Sequence, residues 1–369
     1  MAGCHVSTRT APQPGEPRQL TAAASTGALV PAPAVTLKDV AQLAGVHPAT
    51  ASRALNPETR LLVSEETASR VLAAAAELGY RPNAVARSLR TRRSHTVGVL
   101  IPDLNNPLFP PIVRGLADRL ETYGYVALIG NTDGDDARER RVFEQMRARH
   151  VDGYVLATAH LRNPLLDDAV RAGVPVVLMN RIAADNSFPS VTVDNERGVE
   201  LAVRHLVTLG HREIAYLAGP QDVSTGLARY RGFQSAMAGA GLDVPPERVA
   251  FAGAFSIEEG HRCAREILTS AAGCTAVAAG NDMLAVGCYL ALDEAGLRCP
   301  ADISVVGFND MPFIDMLRPP LTTIAFSHHR VGAEAAELLM ERLNGSTGPV
   351  KVIYLAPELI IRGSTARRS

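Results

Sequence analysis

Apolar residues recur at helical spacing in two short stretches near the start of the chain, and a tight turn separates them. Thr36 and Asp39 have the spacing of a capping box, so the first helix is expected to begin there. Gly45 is placed to end it, since glycine often follows a last helical turn. The predicted buried stripe of this helix consists of Leu37, Val40, Ala41 and Ala44. Together the two stretches predict a helix-turn-helix.

The second helix is predicted to begin at Pro48, a position where a missing N–H is tolerated. Ala51 and Leu55 are its expected buried positions. Its outward side chains are small apart from one arginine: Ala49, Thr50, Ser52 and Arg53. Such a face fits the major groove of DNA, where an arginine fork can bind a guanine edge. A third helix is expected to begin at Ser64 and to end at Gly79, with Val71, Ala75 and Leu78 buried.

From Thr96 onward, short apolar runs alternate with amphipathic helical patterns. This alternation is typical of parallel sheets flanked by helices, and the length of the segment fits two lobes. The predicted strands are Val97–Ile101, Tyr125–Ile129, Gly153–Ala157, Val176–Met179, Ile214–Leu217, Ala276–Ala279 and Ile303–Gly307.

Composition narrows the class of protein. The chain has 369 residues, of which 47% are hydrophobic, which is enough for two or three domains. No apolar run reaches membrane-spanning length, and the N-terminus lacks the features of a secretory signal, so a cytoplasmic protein is expected. Residues 1–34 are rich in small residues and proline without periodicity, which predicts a disordered extension. The five cysteines have no paired spacing, so neither a disulfide framework nor a metal site is expected.

Charge is distributed unevenly along the chain. Residues 36–93 hold nine basic and five acidic side chains, whereas the whole chain has a formal net charge of −1. A basic module on an acidic body suits a partner with a phosphate backbone, for the first part of the chain only.

The helix-turn-helix segment also resembles the N-terminus of the lac repressor family of bacterial regulators. The resemblance continues, in order, to the end of the chain. Its further motifs are Ser64-Glu-Glu-Thr, the run from Leu78 to Arg90, Thr96-Val-Gly-Val-Leu-Ile-Pro-Asp, Arg229-Tyr-Arg-Gly-Phe, Asn281-Asp282, Val305-Val-Gly-Phe-Asn-Asp and Pro319-Pro-Leu-Thr-Thr.

This resemblance implies a two-part architecture. It comprises an all-α DNA-binding domain at 35–80, a hinge helix and linker at 81–95, and a two-lobed α/β effector-binding and dimerisation domain at 96–369. The second part resembles periplasmic sugar-binding proteins, with two parallel sheets and a ligand cleft between them. The resemblance places the crossovers between lobes near 193, 327 and 355.

The resemblance also implies which residues meet DNA. Pro48 and Ala49 fall on the family's two specificity positions and can give only apolar contacts, while Arg53 is expected to contact a base. Leu89 matches a leucine that wedges into the minor groove, which requires two copies of the chain on a near-palindromic site. His47 replaces the usual serine cap, which leaves its role open. The full set is Thr36, His47, Pro48, Ala49, Thr50, Ser52, Arg53, Asn56, Ala86, Leu89 and Arg90.

Candidate ligand residues follow the predicted strands, because open parallel sheets bind ligands at the carboxyl ends of their strands. The set is Asn105, Phe109, Asn131, Asn180, Thr225, Arg229, Phe255, Asn281, Asn309 and Phe326, with Arg181 and Asp310 beside them. Amides, an arginine and aromatic rings suit a sugar-like effector. Matching family positions favour Arg229 and Asn281 most. Asn180 and Asn309 stand where relatives have aspartates, which leaves open whether the effector is a neutral sugar or carries a negative group.

The expected function is a dimeric, ligand-responsive repressor without a cofactor. A solute-binding receptor is the first alternative, but the DNA-binding segment and the missing signal peptide disfavour it. An enzyme on a nucleotide-binding-like sheet is the second. No Gly-x-Ser-x-Gly elbow, Gly-Lys-Ser/Thr phosphate loop or Gly-x-Gly-x-x-Gly motif follows the first strand, so an enzyme is also disfavoured.

Overall fold

The computed structural model describes Met1 and residues 35–56, 59–81, 93–271 and 273–368. The chain divides into two compact units, one up to Asn83 and the other from Ala84 onward.

Three helices make up the described part of the first unit. They are α1 (Leu37–Leu43), α2 (Pro48–Leu55) and α3 (Glu65–Glu77), with a 3₁₀ turn at Arg60–Leu62. The Thr36 side chain accepts from the Asp39 N–H while the Asp39 carboxylate accepts from the Thr36 N–H, so the predicted capping box is confirmed. Gly45 and Gly79 end α1 and α3 with φ of +65° and +61°. The predicted helix-turn-helix and third helix are therefore present.

The core of this unit is built from small side chains. Val40, Ala51, Ala54 and Val71 are each fully buried. Leu55 is only half-buried, so the prediction that it forms the inner face of α2 with Ala51 is wrong in part, since Ala54 takes that place one residue earlier. Small residues let the three short helices approach closely, which compensates for their limited apolar area.

The loop after α2 is held against the end of that helix. The Arg60 Nε donates to the Ala54 carbonyl oxygen at 3.0 Å, and the Thr59 hydroxyl donates to the Arg53 carbonyl oxygen at 3.1 Å. These bonds satisfy carbonyls that the helix leaves without partners at its C-terminus. They also place exposed Leu61 and Leu62 on the 3₁₀ turn.

The second unit contains two six-stranded sheets. Sheet A consists of β1 (Thr96–Ile101), β2 (Val126–Asn131), β3 (Gly153–Leu156), β4 (Val176–Met179), β5 (Ser190–Val193) and β11 (Val352–Leu355). Sheet B consists of β6 (Ile214–Ala218), β7 (Val249–Phe251), β8 (Ala276–Ala279), β9 (Ser304–Asn309), β10 (Thr322–Ala325) and β12 (Glu358–Ile360). The strand order is β11-β5-β4-β3-β1-β2 in sheet A and β12-β10-β9-β8-β6-β7 in sheet B.

All seven predicted strands are present, with ends shifted by up to two residues, and the α/β class is confirmed. Five strands are missing from the sequence prediction: β5, β7, β10, β11 and β12. Each is only three or four residues long, as are the predicted strands β3, β4 and β8, so an apolar pattern over so few residues does not identify a strand reliably. One of them also corrects the expectation of purely parallel sheets, because β12 pairs antiparallel with β10.

Helices cover both sheets. Lobe 1, built on sheet A, carries α4 (Phe109–Thr122), α5 (Asp136–Ala148), α6 (Pro164–Arg171) and α11 (His328–Leu343). Lobe 2, built on sheet B, carries α7 (Asn195–Thr208), α8 (Ser224–Gly239), α9 (Ile257–Ser270) and α10 (Asp282–Glu294). The chain changes lobe after β5, between β10 and α11, and between β11 and β12.

Helices α4 and α11 cross almost backbone to backbone. A Cβ added at Gly115 would lie 1.9 Å from the His329 carbonyl oxygen, and one added at Gly332 would lie 1.9 Å from the Ile112 carbonyl oxygen. Only glycine permits this approach, so α11 is locked onto lobe 1 although the preceding strand belongs to lobe 2.

No helix within the described ranges combines the length and apolar character that crossing a membrane would require.

Candidate functional site

Helix α2 presents a small, polar outer face. Ala49 and Arg53 are exposed, and Pro48, Thr50 and Ser52 are half-buried. The His47 Nδ1 accepts a hydrogen bond from the Ala49 N–H at 3.2 Å, so this histidine caps α2. Capping answers the question that the sequence left open about His47, and it fixes the start of the helix that carries Arg53.

The remaining predicted DNA-contact residues divide into two groups. Thr36 is exposed, and its hydroxyl donates to the Asp39 carboxylate at 2.8 Å. Asn56 is half-buried and ends α2, where its carbonyl oxygen accepts from the Arg60 N–H at 2.9 Å. Ala86, Leu89 and Arg90 lie outside the described residues.

A cleft of about 500 Å³ lies between the carboxyl edges of the two sheets in the second unit. This volume falls in the range of small-molecule sites, about 300–1,000 Å³. Seven of the ten predicted ligand residues line it: Phe109, Asn180, Thr225, Arg229, Phe255, Asn281 and Asn309. The rule that ligands bind beyond strand ends therefore brings together residues that are far apart in sequence.

Arg229 is a deeply buried cation on the lobe 2 side of the cleft, with only 2% of its surface exposed. Its Nε donates to Asn195 Oδ1 at 2.8 Å, and its terminal nitrogens donate to the Gly280 carbonyl oxygen at 2.6 Å and to Asn309 Oδ1 at 3.1 Å. Its guanidinium carbon lies 3.7 Å from the centroid of the Phe308 ring. Burial lowers its pKa to about 10, so the side chain stays protonated at neutral pH.

Asn180 and Asn309 both adopt left-handed backbone conformations, with φ of +67° and +116°. Asparagine tolerates such values better than most residues, so each has a structural reason to follow its strand. Asn281 also has a structural role, because its Oδ1 accepts from the Leu284 N–H at 2.9 Å and so caps α10. These amides shape the cleft whether or not they touch a ligand.

Asp282 lies fully buried behind the cleft wall of lobe 2. Its carboxylate accepts from the Thr323 hydroxyl at 2.6 Å and from the Met311 N–H at 2.8 Å. Burial raises its pKa to about 7. These two bonds tie the start of α10 to strand β10, which contains Thr323, and to the loop after β9, the strand that ends at Asn309.

The lobe 1 wall carries more carboxylates than the lobe 2 wall, and some of its buried polar atoms have no hydrogen-bond partner among the described residues. Asp103 and Asp133 line it, and the Asn180 Oδ1 is buried without a hydrogen-bond partner among the described residues. Arg181 also lines it, and its terminal nitrogen donates to the Thr158 carbonyl oxygen at 3.1 Å. Burial lowers the Arg181 pKa to about 10, and the nearby charges of Asp222 and Glu139 oppose that shift.

Several hydrogen bonds between described residues join the lobes around the cleft. The His160 Nδ1 lies 3.0 Å from Asp222 Oδ2, and the Leu161 N–H donates to the Asp222 carbonyl oxygen at 2.8 Å. The Ile182 N–H donates to Ser224 Oγ at 2.9 Å. His328, at the start of α11, lies 2.6 Å from the Asn309 carbonyl oxygen, and burial lowers its pKa, which favours the neutral ring that donates there.

Three predicted ligand residues do not line the cleft. Asn105 is exposed, and its N–H donates to Asp103 Oδ1 at 2.8 Å. The Asn131 Oδ1 accepts from the Leu104 N–H at 2.9 Å, and the Asn131 Nδ2 donates to the Asp133 carboxylate. Phe326 is 9% exposed and packs edge-on against His328, with ring centroids 4.8 Å apart.

Other lining residues were not singled out from the sequence: Asp103, Asn106, Asp133, His160, Asp222 and Ser256. Asp103 and Asp133 come soon after β1 and β2, so the strand-end rule that selected Asn105 and Asn131 applied to them equally. His160 and Asp222 sit in loops with no motif, and only the pairing of the lobes brings them together.

Two family models match the chain. "Bacterial regulatory proteins, lacI family" matches residues 36–83, and "Periplasmic binding protein-like domain" matches residues 203–365. The ribose operon repressor of Escherichia coli (strain K12) is 36% identical over 330 residues, which cover 89% of this chain and 99% of that repressor.

Solved structures agree with these matches. The lac repressor dimer bound to operator and the anti-inducer ONPF aligns with a TM-score of 0.80 at 28% identity, covering 90% of this chain and all of that chain. The complex of the transcriptional regulator CelR with cellobiose aligns with a TM-score of 0.69 at 32% identity, covering 89% of this chain and 99% of that chain. This chain therefore belongs to the lacI family of bacterial regulatory proteins.

Proposed function

We propose that this chain is a cytoplasmic, sequence-specific DNA-binding repressor whose operator affinity is controlled by a sugar-like effector. The observation that carries the proposal is the presence in one chain of a capped reading helix and a cleft built around a buried arginine. The proposed division is a DNA-binding domain at 35–80, a hinge and linker at 81–95, and an effector-binding and dimerisation domain at 96–369, preceded by an extension at 1–34.

The DNA-binding half rests on α2. Ala49 and Arg53 are exposed on one helix whose start is fixed by His47, and a rigid helix with one arginine can enter the major groove. Among the relatives described above, the lac repressor dimer is bound to its operator. A dimer on a near-palindromic site is proposed here by analogy, with Ala86 and Leu89 in the minor groove and Arg90 neutralising a phosphate.

The effector half rests on the cleft. Its volume, its amides, the Arg229 guanidinium and the rings of Phe109 and Phe255 suit a hydroxylated ring. The CelR structure holds cellobiose, and the relative from Escherichia coli is named for ribose. Ligand binding between the lobes would favour one lobe arrangement, and operator affinity would change by the difference in ligand binding between the two arrangements. We do not expect catalysis from this set of residues.

Selection of duplexes from a random double-stranded pool tests the DNA-binding half. The full chain should enrich one near-palindromic sequence. Arg53→Ala should lose about 1–3 kcal/mol of binding to that sequence and relax preference at one base pair, because a bidentate base contact is removed.

Arg70→Ala is the matched control, since Arg70 is an exposed arginine on α3 and the charge change is the same. It should leave the sequence preference intact. Enrichment of no sequence by the wild-type chain would refute the proposed function, and equal losses on all duplexes for Arg53→Ala would assign that residue to phosphate contact.

A further inference from the structure

The two walls of the cleft differ in the charge and in the hydrogen-bonding groups that they offer to a ligand. On lobe 2, Arg229 is buried, and its recorded bonds go to one carbonyl oxygen and two amide oxygens. No carboxylate lies within 4.0 Å of its nitrogens in the described part of the chain. Three of the five guanidinium N–H groups are used, which leaves one on each terminal nitrogen.

The helix that carries Arg229 adds to this positive character. Helix α8 begins at the cleft, where Val223 and Thr225 are lining residues. Its N-cap Val223 provides no side-chain hydrogen bond, and no acidic residue lies in its first turn. The first N–H groups of a helix and its dipole favour an anion, and an uncapped N-terminus leaves them available.

The corresponding helix on lobe 1 lacks such donors. Helix α4 begins Phe109-Pro110-Pro111 at the cleft, and proline has no N–H. Asp103 and Asp133 line this wall together with Arg181, so two carboxylates face the cleft beside one guanidinium, whose buried Nε has no hydrogen-bond partner among the described residues. The Asn180 side chain is 93% buried, as its exposure is 7%, and its Oδ1 has no partner among the described residues. Carboxylates and an unpartnered amide oxygen require hydrogen-bond donors, which the hydroxyl groups of a ligand supply.

We propose that the effector is a hydroxylated anion, in which a carboxylate or phosphate group binds Arg229 and the N-terminus of α8 while hydroxyls face lobe 1. This inference rests on the proposed function and makes the effector class more specific. The buried Asp282 carboxylate acts on Arg229 through its charge but makes no hydrogen bond to it among the described residues. An anion in the cleft would therefore give this arginine a hydrogen-bonded charge partner, and charge-assisted bonds to a guanidinium are stronger than neutral ones. Asp222 lines the cleft just before the N-cap of α8, and its carboxylate lies beside His160.

Calorimetry on the full chain with matched sugars tests the proposal. Glucose, glucuronate and glucose 6-phosphate share one ring and differ at a single carbon, and ribose and ribose 5-phosphate provide a pentose pair. At least one charged compound should bind at least tenfold more tightly than its neutral counterpart, a difference of about 1.4 kcal/mol. The carboxylate and phosphate arms distinguish the two sources of negative charge.

Asn309→Asp supplies a second, independent test. It places a carboxylate at the atom that Arg229 now contacts, and aspartate tolerates the φ of +116° as asparagine does. The variant should bind the charged compound about tenfold more weakly than the wild type, and its affinity for the neutral compound should change less than twofold. Asn106→Asp is the control, because it makes the same change on the lobe 1 wall, where the Asn106 Oδ1 accepts from the Leu108 N–H. It should change the affinity for the charged compound less than threefold.

Thermal unfolding of each variant establishes that it folds. If every charged compound fails to bind, or if a neutral sugar binds as tightly as its charged counterpart, the proposal is wrong. Neutral-sugar binding would leave the proposed function standing, because that function is tested by duplex selection. Equal binding of the charged compound to wild-type and Asn309→Asp protein would also overturn the placement of the anion.

Discussion

The lobe 2 wall of the cleft holds its arginine with partners from three elements, whereas the lobe 1 wall contains a buried amide oxygen without a partner. Arg229 is fixed by Asn195, Gly280 and Asn309 and stacks on Phe308. Asn180, across the cleft, has an Oδ1 that no described residue satisfies. The arginine of lobe 2 is thus held in place without a ligand, and we expect a bound ligand to supply the missing partner on lobe 1. Such a division lets a ligand stabilise one lobe arrangement over others.

Replacing Arg229 should have the largest effect. Arg229→Met keeps the volume and removes the charge and its donors, so affinity for the effector should fall at least about a hundredfold by calorimetry. Arg229→Lys keeps the charge but loses the fork, and it should retain part of the affinity. Equal affinity of wild-type and Arg229→Met protein would show that lobe 2 does not anchor the ligand.

The buried carboxylate behind lobe 2 should make stability depend on pH. Burial raises the folded-state pKa of Asp282 to about 7 from an ordinary 3.8, so its contribution is present below the lower value and is lost as pH rises through the higher one. Asp282→Asn should flatten the melting temperature between about pH 4 and pH 8.

Asp293→Asn is the control for that measurement, because Asp293 is an exposed carboxylate on the same helix. Its melting curve should follow the wild type at each pH. An Asp282→Asn protein with the pH dependence of the wild type would contradict the account of this buried group.

On the lobe 1 wall the expected effect is smaller. Asn180→Gly removes the unpartnered amide while glycine accepts the φ of +67°, so effector affinity should fall about fivefold, the value of roughly one hydrogen bond. Asn186→Gly is the control, since Asn186 is exposed at a φ of +52° in the following loop. The same loss in both variants would indicate a backbone effect and not a ligand contact.

The smallest effect should come from the contact between lobes. His160→Ala breaks the bond to Asp222. The affinity for the effector should fall about two- to fivefold, because exposed ion pairs contribute about 0.2–1 kcal/mol. His261→Ala removes a matched pair within lobe 2: His261 and Glu294 lie 2.8 Å apart, and the two imidazoles are 26% and 27% exposed. Faster effector dissociation in the first variant alone would support a role in lobe closure.

Local sequence signals predicted the elements that depend on local chemistry. Thr36, Gly45 and Pro48 fixed the helix ends of the first unit because capping and backbone preference act over a few residues. Strongly apolar strands such as β1 and β4 were predicted for the same reason. Strands β5 and β12 were not, because their formation depends on pairing partners far along the chain.

The cleft was predicted in part because strand ends converge at one edge of a sheet. Asn131 shows the limit of that rule, since its side chain turns to the Leu104 N–H while Asp133, two residues later, lines the cleft. The lack of donors at the start of α4 was readable in Pro110 and Pro111. The contrast with the available N–H groups of α8 became visible only in the structure, where both helices begin at the same cleft.

Anisotropy of the selected DNA duplex, titrated with the full chain, tests the central claim that ligand in this cleft controls DNA binding. The tightest-binding compound of the sugar panel is added at saturation to wild-type and Arg229→Met protein. Duplex affinity should change at least about fivefold for the wild type and less than twofold for Arg229→Met, with equal affinities before ligand is added. Duplex affinity that is unchanged by the bound compound in the wild type would contradict the account.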